Sequence, residues 1–258
     1  MPWNPDRYNQ FKHIRYQPFY DLAAMISDDG LKSGLDIGCG TGEQTRILAE
    51  KFPRAKFLGI DPSTEMLANS NSWERENLRF DRFTVEAYLA AYPEQGWDLI
   101  FSNAALQWSD HHEQLLPALI SRLADRGQLA IQMPVQKENL LNQLLINLAD
   151  QQPFSNYLNG WNRQSPILSI DRYTQLMFAG GLTGLQVIQK VYPIVADHPD
   201  QLFDFISGSA LIPYLERLSA AEQALFAAEY KRRIAEVFKE FPAVYPFKRL
   251  LLYGRKPR

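Results

Sequence analysis

Leu35-Asp36-Ile37-Gly38-Cys39-Gly40-Thr41-Gly42 is the stretch on which the fold turns. A short apolar run enters it, and a helix-forming run from Glu43 to Phe52 leaves it, with Ile47, Leu48 and Phe52 on one face and Pro53 as its stop. Strand, glycine turn and helix in that order are the context in which a glycine cluster means a ligand. Glycines accept positive φ and let a ligand approach the main chain with no Cβ in the way. A dinucleotide site would carry G-x-G-x-x-G, with a pyrophosphate against the helix N-terminus. Here the sixth position is Glu43, and its carboxylate would repel a pyrophosphate. A tight turn with no ligand is the remaining alternative.

Outward from the loop, strand-like and helix-like segments alternate, as in a mostly parallel sheet covered on both faces. The strands expected after the first lie at 56–61 (KFLGID), within 78–85, at 97–103 (WDLIFSN) and at 127–133 (GQLAIQM), with two more at 185–192 and 249–253. Residues 137–166 and 196–246 differ in character: Leu, Phe, Tyr and Ala recur at helical spacing between Pro153, Pro166, Pro199, Pro213 and Pro242. We therefore expect an α/β protein with a seven-stranded Rossmann-like sheet, the last strand antiparallel. Residues 31–136, 167–195 and 247–258 would form the core, 1–30 an N-terminal helical segment over the ligand, and 137–166 with 196–246 a helical cap acting as substrate lid.

Composition narrows the function. The 258 residues carry a formal charge of −2, and the longest basic tract is Lys231-Arg232-Arg233, too little positive surface for a nucleic-acid partner. A lone cysteine, Cys39, excludes an intramolecular disulfide and a cysteine-rich metal site. The opening Met1-Pro2-Trp3-Asn4-Pro5-Asp6 lacks the features of a signal peptide, and no apolar stretch is long enough to span a bilayer. A cytoplasmic protein without membrane or metal partners is expected. His111-His112 reads as an exposed helix start rather than a metal site.

The spacing D-x-G-x-G-x-G resembles motif I of the class I S-adenosylmethionine-dependent methyltransferases. That cofactor, S-adenosyl-L-methionine, has no phosphate and bears an ammonium group, so an acidic loop is tolerable; its product is S-adenosyl-L-homocysteine. The resemblance implies a cofactor site at Asp36, Gly38, Cys39 and Gly40. Asp61, ending the second strand, would accept from both ribose hydroxyls, with capping of the following helix as its other role. Pro62 and Met66 would lie beside the adenine. Glu86, with Ala87, would meet the adenine amino group or remain solvated. Asn103, Ala104, Gln107 and Trp108 would line the wall beside the sulfonium and its methyl.

A closer resemblance, to the trans-aconitate methyltransferase family, runs through Trp3-Asn4-Pro5-x-x-Tyr8-x-x-Phe11-x-x-x-Arg15-x-x-Pro18, Ser102-Asn103-Ala104-Ala105-Leu106-Gln107-Trp108, Gln132-Met133-Pro134, Ile212-Pro213-Tyr214-Leu215 and Leu218-Ser219-x-x-Glu222-Gln223. It implies transfer of methyl to a carboxylate oxygen of a small organic acid by in-line SN2 displacement. A carboxylate is already ionised at neutral pH, so no general base is obligatory. No catalytic residue is singled out; Gln107, Trp108 and Tyr8 are positioning candidates. Arg15 would pair the cofactor carboxylate or lie on a helix surface. Trp161, Arg163, Tyr214, Lys248 and Arg249 are candidates for the substrate. The stretch 203–216 contains no cation and has Ile212 where the family has an arginine. A malonyl thioester or a monocarboxylate therefore stays open beside trans-aconitate, as do a phenol, an amine and a non-catalytic cofactor-binding module.

Overall fold

The computed structural model describes residues 12–94 and 96–258, with side chains from Tyr16 onward. In chain order the elements are α1 (Lys12–Ala24), β1 (Ser33–Ile37), α2 (Glu43–Lys51), β2 (Lys56–Ile60), α3 (Thr64–Leu67), β3 (Leu78–Asp81), α4 (Val85–Ala91), β4 (Trp97–Asn103), α5 (His112–Ser121) and β5 (Leu123–Pro134). Then follow α6 (Leu140–Ala149), α7 (Phe154–Tyr157), α8 (Ile170–Ala179), β6 (Thr183–Ala196), α9 (Pro199–Ser207), α10 (Ile212–Leu215), α11 (Ala220–Val237) and β7 (Ala243–Arg255).

The seven strands form one sheet in the order β3-β2-β1-β4-β5-β7-β6. Strands β1 to β5 are parallel, and β7 runs antiparallel to β5, as the sequence led us to expect. Strand β4 matches its expected bounds. Strands β5, β6 and β7 are longer than the hydrophobic runs that marked them. The excess in β6 is Thr183-Gly184 at one end and Pro193-Ile194-Val195-Ala196 at the other, where exposed and buried residues alternate and Pro193 interrupts the run that marked the strand.

The chain divides into two compact units, one of Gln17–Pro134, Pro166–Lys190 and Arg249–Arg258, the other drawn mainly from Val135–Ser165 and Val191–Lys248. In the first, Phe19 and Leu22 of α1, Leu48 of α2, and Phe57, Phe101, Ala130 and Leu251 of the sheet share one core. Phe19 meets Phe101 edge-on, with ring centroids 5.8 Å apart. At the amino edge of the sheet the buried Gln128 is bonded at both ends of its amide: its Oε1 accepts from Ser27 N and from the Tyr253 hydroxyl, and its Nε2 donates to Ser27 O. This closes the turn after α1 without an orphaned polar group.

The second unit has its own core, in which Leu141, Phe203, Tyr214, Phe226 and Tyr230 are buried together. Phe226 stacks on Tyr214 (5.8 Å, 17°) and meets Phe154 edge-on at 5.1 Å. A capping box starts α11: Glu222 N donates to Ser219 Oγ while the Glu222 carboxylate accepts from Ser219 N. No helix among the described residues is long and apolar enough to cross a membrane.

Phe226 touches two aromatic partners and is wholly buried, so Phe226→Ala should destabilise the fold by about 3–5 kcal/mol. A urea-unfolding curve within 1 kcal/mol of wild type would contradict this packing.

Candidate active site

The strand order reverses between β1 and β4, and the carboxyl edge of the sheet at such a reversal is where open α/β sheets place a ligand crevice. Gly38 holds the two loops together. Its φ is +73°, and a Cβ there would lie 2.0 Å from the Ala105 side chain, so neither the conformation nor the space admits another residue. The loop is tied to β2 as well: Gly38 N and Cys39 N both donate to Ile60 O, at 2.7 and 3.0 Å.

Asp61 completes that tie. Its Oδ2 accepts from Gly40 N at 3.0 Å, and its Oδ1 accepts from Ser63 N at 2.9 Å. Each oxygen keeps a further acceptor position, so the carboxylate can still receive a vicinal diol. Helix α3 is capped not by Asp61 but by Ser63, whose hydroxyl accepts from Met66 N. Pro62 is exposed, and Met66 reaches over Gly40, its Cε 3.1 Å from where a Cβ would stand. Glu86 and Ala87 lie exposed in the first turn of α4, where Ala87 N donates to the Thr84 cap.

Beneath the loop, Asp36 is buried and accepts from Thr45 Oγ1 at 2.6 Å. Burial pushes its carboxyl up to about 7; the Thr45 bond opposes this and the nearby Asp61 charge adds to it. Burial, with the Asp36 and Asp61 charges, pushes the Cys39 thiol far above its ordinary range, so it remains a neutral part of the wall.

On the far side of the crevice, Asn103 Nδ2 donates to Gln44 Oε1 at 2.9 Å. That bond fixes the amide orientation and leaves Asn103 Oδ1 buried with no donor among the described residues. Ala104 turns at φ +55° while its N donates to Gln132 O. Gln107 Nε2 folds back onto Ala104 O at 2.6 Å, and Trp108 is 40% exposed.

His112 corrects the expectation of an exposed helix start. Its partner His111 is exposed in a left-handed conformation, but His112 is buried. Its Nε2 faces Leu106 O and Ser109 O, at 2.9 and 3.1 Å, and carbonyls only accept, so Nε2 carries the hydrogen. Its Nδ1 then accepts from the Tyr173 hydroxyl at 2.5 Å. The periodicity of α5 turns this side chain toward the sheet, a signal a two-residue reading passes over.

The remaining candidates divide between the units. Arg249 is buried in the first, its Nη1 donating to Gln132 Oε1 at 2.8 Å. Tyr214 belongs to the core of the second: its hydroxyl donates to Asn162 Oδ1 and accepts from Arg163 N, and burial pushes it up to about 12. Trp161 packs edge-on against Tyr214, with the Arg217 guanidinium 3.8 Å from its ring centroid. Lys248 reaches Glu138, 3.4 Å from its carboxylate. Arg15 falls within α1 but its side chain, like all of Tyr8, lies outside the described residues. Gln44, Gln132 and Arg217 were not foreseen as participants; only Gln132 stood in a quoted motif.

A methyltransferase-domain family model matches residues 35–129, the strands and loops that build the crevice. A trans-aconitate 2-methyltransferase of Deinococcus radiodurans is 36% identical over 263 residues, covering 100% of this chain and 99% of its own. One of Variovorax paradoxus is 34% identical, covering 99% and 96%. The chain belongs to the trans-aconitate 2-methyltransferase family. Among solved structures, the YcgJ protein of Bacillus subtilis matches with TM-score 0.60 at 18% identity, covering 94% of this chain and 99% of that one. A phosphoethanolamine N-methyltransferase of Haemonchus contortus with S-adenosylhomocysteine bound matches with TM-score 0.53 at 17% identity, covering 88% and 49%. These last two show the fold.

Members of this methyltransferase family use S-adenosylmethionine, and the crevice fits that cofactor on its own terms. It presents an unsatisfied acceptor at Asn103 Oδ1, the carboxylate of Asp61 with the buried acid Asp36 behind it, and a glycine turn with no room for a Cβ. A ligand with an ammonium, a diol and no phosphate matches that set.

Asp61→Ala should weaken S-adenosylhomocysteine binding by about 1–3 kcal/mol in calorimetry, and unchanged affinity would contradict the placement of the diol. Asp36 has a raised folded-state pKa, so the stability it lends is full below about 4 and is lost as pH rises through about 7. Asp36→Asn should therefore flatten the fall in Tm of the cofactor-free protein between about pH 4 and 7; an unaltered slope would refute the assignment.

Proposed function

We propose that this methyltransferase transfers methyl to a carboxylate oxygen of a small organic acid, trans-aconitate foremost, forming a monomethyl ester. The observation that carries the reading is the chemistry of the wall after β4. Asn103, Ala104, Gln107 and Trp108 hold no titratable group, and the imidazole of His112 is committed to two carbonyls and to Tyr173. Burial also lowers the His112 pKa. Phenols and amines must lose a proton to react or shortly afterwards, and would call for a base there. A carboxylate arrives ionised.

When bound, S-adenosylmethionine supplies an electrophilic methyl, which the acceptor oxygen takes by in-line displacement to leave S-adenosylhomocysteine. The protein's own part is positioning and exclusion of water. In this reading Asp61 holds the ribose, with Pro62 and Met66 beside the adenine and Glu86 with Ala87 at its rim. The turn at Gly38, Cys39 and Gly40, with Asp36 behind it and Asn103 opposite, holds the amino acid end. Arg15 pairs the cofactor carboxylate. Gln107, Trp108 and Tyr8 shape the space for the reacting oxygen, and Trp161, Tyr214 and Lys248 are the substrate candidates of the helical unit. The full-length likeness to enzymes named for trans-aconitate supports that acid over other acceptors. A malonyl thioester is the second reading, favoured by Ile212 and by the cation-free stretch 203–216.

The test is transfer of labelled methyl to trans-aconitate, with mild base applied to the product. Release of the label as methanol is expected of an ester. A base-stable product would show transfer to another kind of atom.

A further inference from the structure

We infer that Gln132 and Arg249 form an anion subsite for a carboxylate of the acceptor that is not itself methylated. The enzyme would then select acids with at least two carboxylates. This rests on the carboxyl-methylation reading above and adds the residues that would set its specificity.

Three strands bring the polar groups together. Phe101 on β4 pairs with Ala130 on β5, which pairs with Tyr253 on β7, and these three lie on the face packed under α1. Two residues on toward the carboxyl edge, with the same facing, Asn103 pairs with Gln132 and Gln132 with Leu251. One further step of the same parity places Arg249 opposite Pro134. The apolar core of this face thus gives way to a row of Asn103, Gln132 and Arg249.

Within that row Gln132 is fully buried. Its Oε1 accepts from Arg249 Nη1, which fixes which end of the amide is oxygen. The other end, Nε2, is buried and has no acceptor among the described residues. A buried N–H donor left unmade is costly, and natural structures retain one chiefly where a ligand or water completes it. Beside it stands a guanidinium, which keeps its charge at any physiological pH. Donor and cation side by side match the two oxygens of a carboxylate.

Polarity also changes along the row. Asn103 presents an unsatisfied acceptor and would repel an anion, whereas Gln132 presents an unsatisfied donor. An anion therefore belongs at the β5–β7 end of the row. A carboxylate held by a guanidinium has its lone pairs engaged and is a poor nucleophile, so the oxygen that takes the methyl must be a different one.

Two near-isosteric variants test this. Gln132→Met removes the donor, and Gln132→Glu keeps Arg249 paired but places a negative charge where the carboxylate would lie. Protein saturated with S-adenosylhomocysteine is titrated with trans-aconitate and with crotonate, which has a single carboxylate. Wild type should bind trans-aconitate far better than crotonate, and each variant should weaken trans-aconitate binding by about tenfold or more. Affinity for S-adenosylhomocysteine should stay within about twofold, which also reports an intact fold. Variants that bind trans-aconitate like wild type, or a wild type that does not prefer it to crotonate, would overturn the subsite. A loss falling equally on S-adenosylhomocysteine would overturn it too, placing the row at the cofactor's own carboxylate. A base-stable methylated product from wild type would instead defeat the carboxyl reading itself.

Discussion

The active site depends on one close approach. Gly38 lets the loop after β1 lie against Ala105 in the loop after β4, at a distance no side chain could share. From that contact the rest of the crevice takes its form. Ile60 O receives Gly38 N and Cys39 N, so the turn is registered against β2, and Asp61 then spans Gly40 N and Ser63 N. Backbone donors that the turn would otherwise leave unpaired are satisfied by this one carboxylate. Removing that carboxylate therefore disturbs the loop itself.

The charge pattern follows from the same packing. Two carboxylates, Asp36 and Asp61, stand beneath or beside the turn, and the thiol between them is kept neutral. Such a site disfavours phosphate and favours a cation. Opposite, polar groups that do not titrate make up the wall after β4. Binding and placement are thus well supplied while proton transfer is not, a division suited to an acceptor that arrives already ionised.

Much of this was legible before any coordinates. The glycine turn, Asp61 and the 97–103 strand are local features whose meaning depends on neighbours in sequence, and each lies where it was expected. What escaped depends on distant partners. Arg249 meets Gln132 across 117 positions, and only the antiparallel register of β5 and β7 brings them to one face; a slip of one residue would part them. His112 was taken for a surface residue because its burial is decided by which face α5 turns to the sheet. The early flank of β5, Leu123-Ala124-Asp125-Arg126, holds two charged residues and belongs to a strand that starts by pairing Leu123 with Trp97, while Pro193 and Pro246 interrupt the runs that mark β6 and β7.

The central claim is that the acceptor oxygen is a carboxylate, so that turnover needs no proton removed at the wall after β4. The pH dependence of kcat with saturating trans-aconitate tests it directly. Between about pH 7.5 and 9.5 a carboxylate acceptor, long since ionised, should give a flat profile. A rise approaching tenfold per pH unit across that range would mean that a proton must leave before methyl is transferred, and would contradict the account.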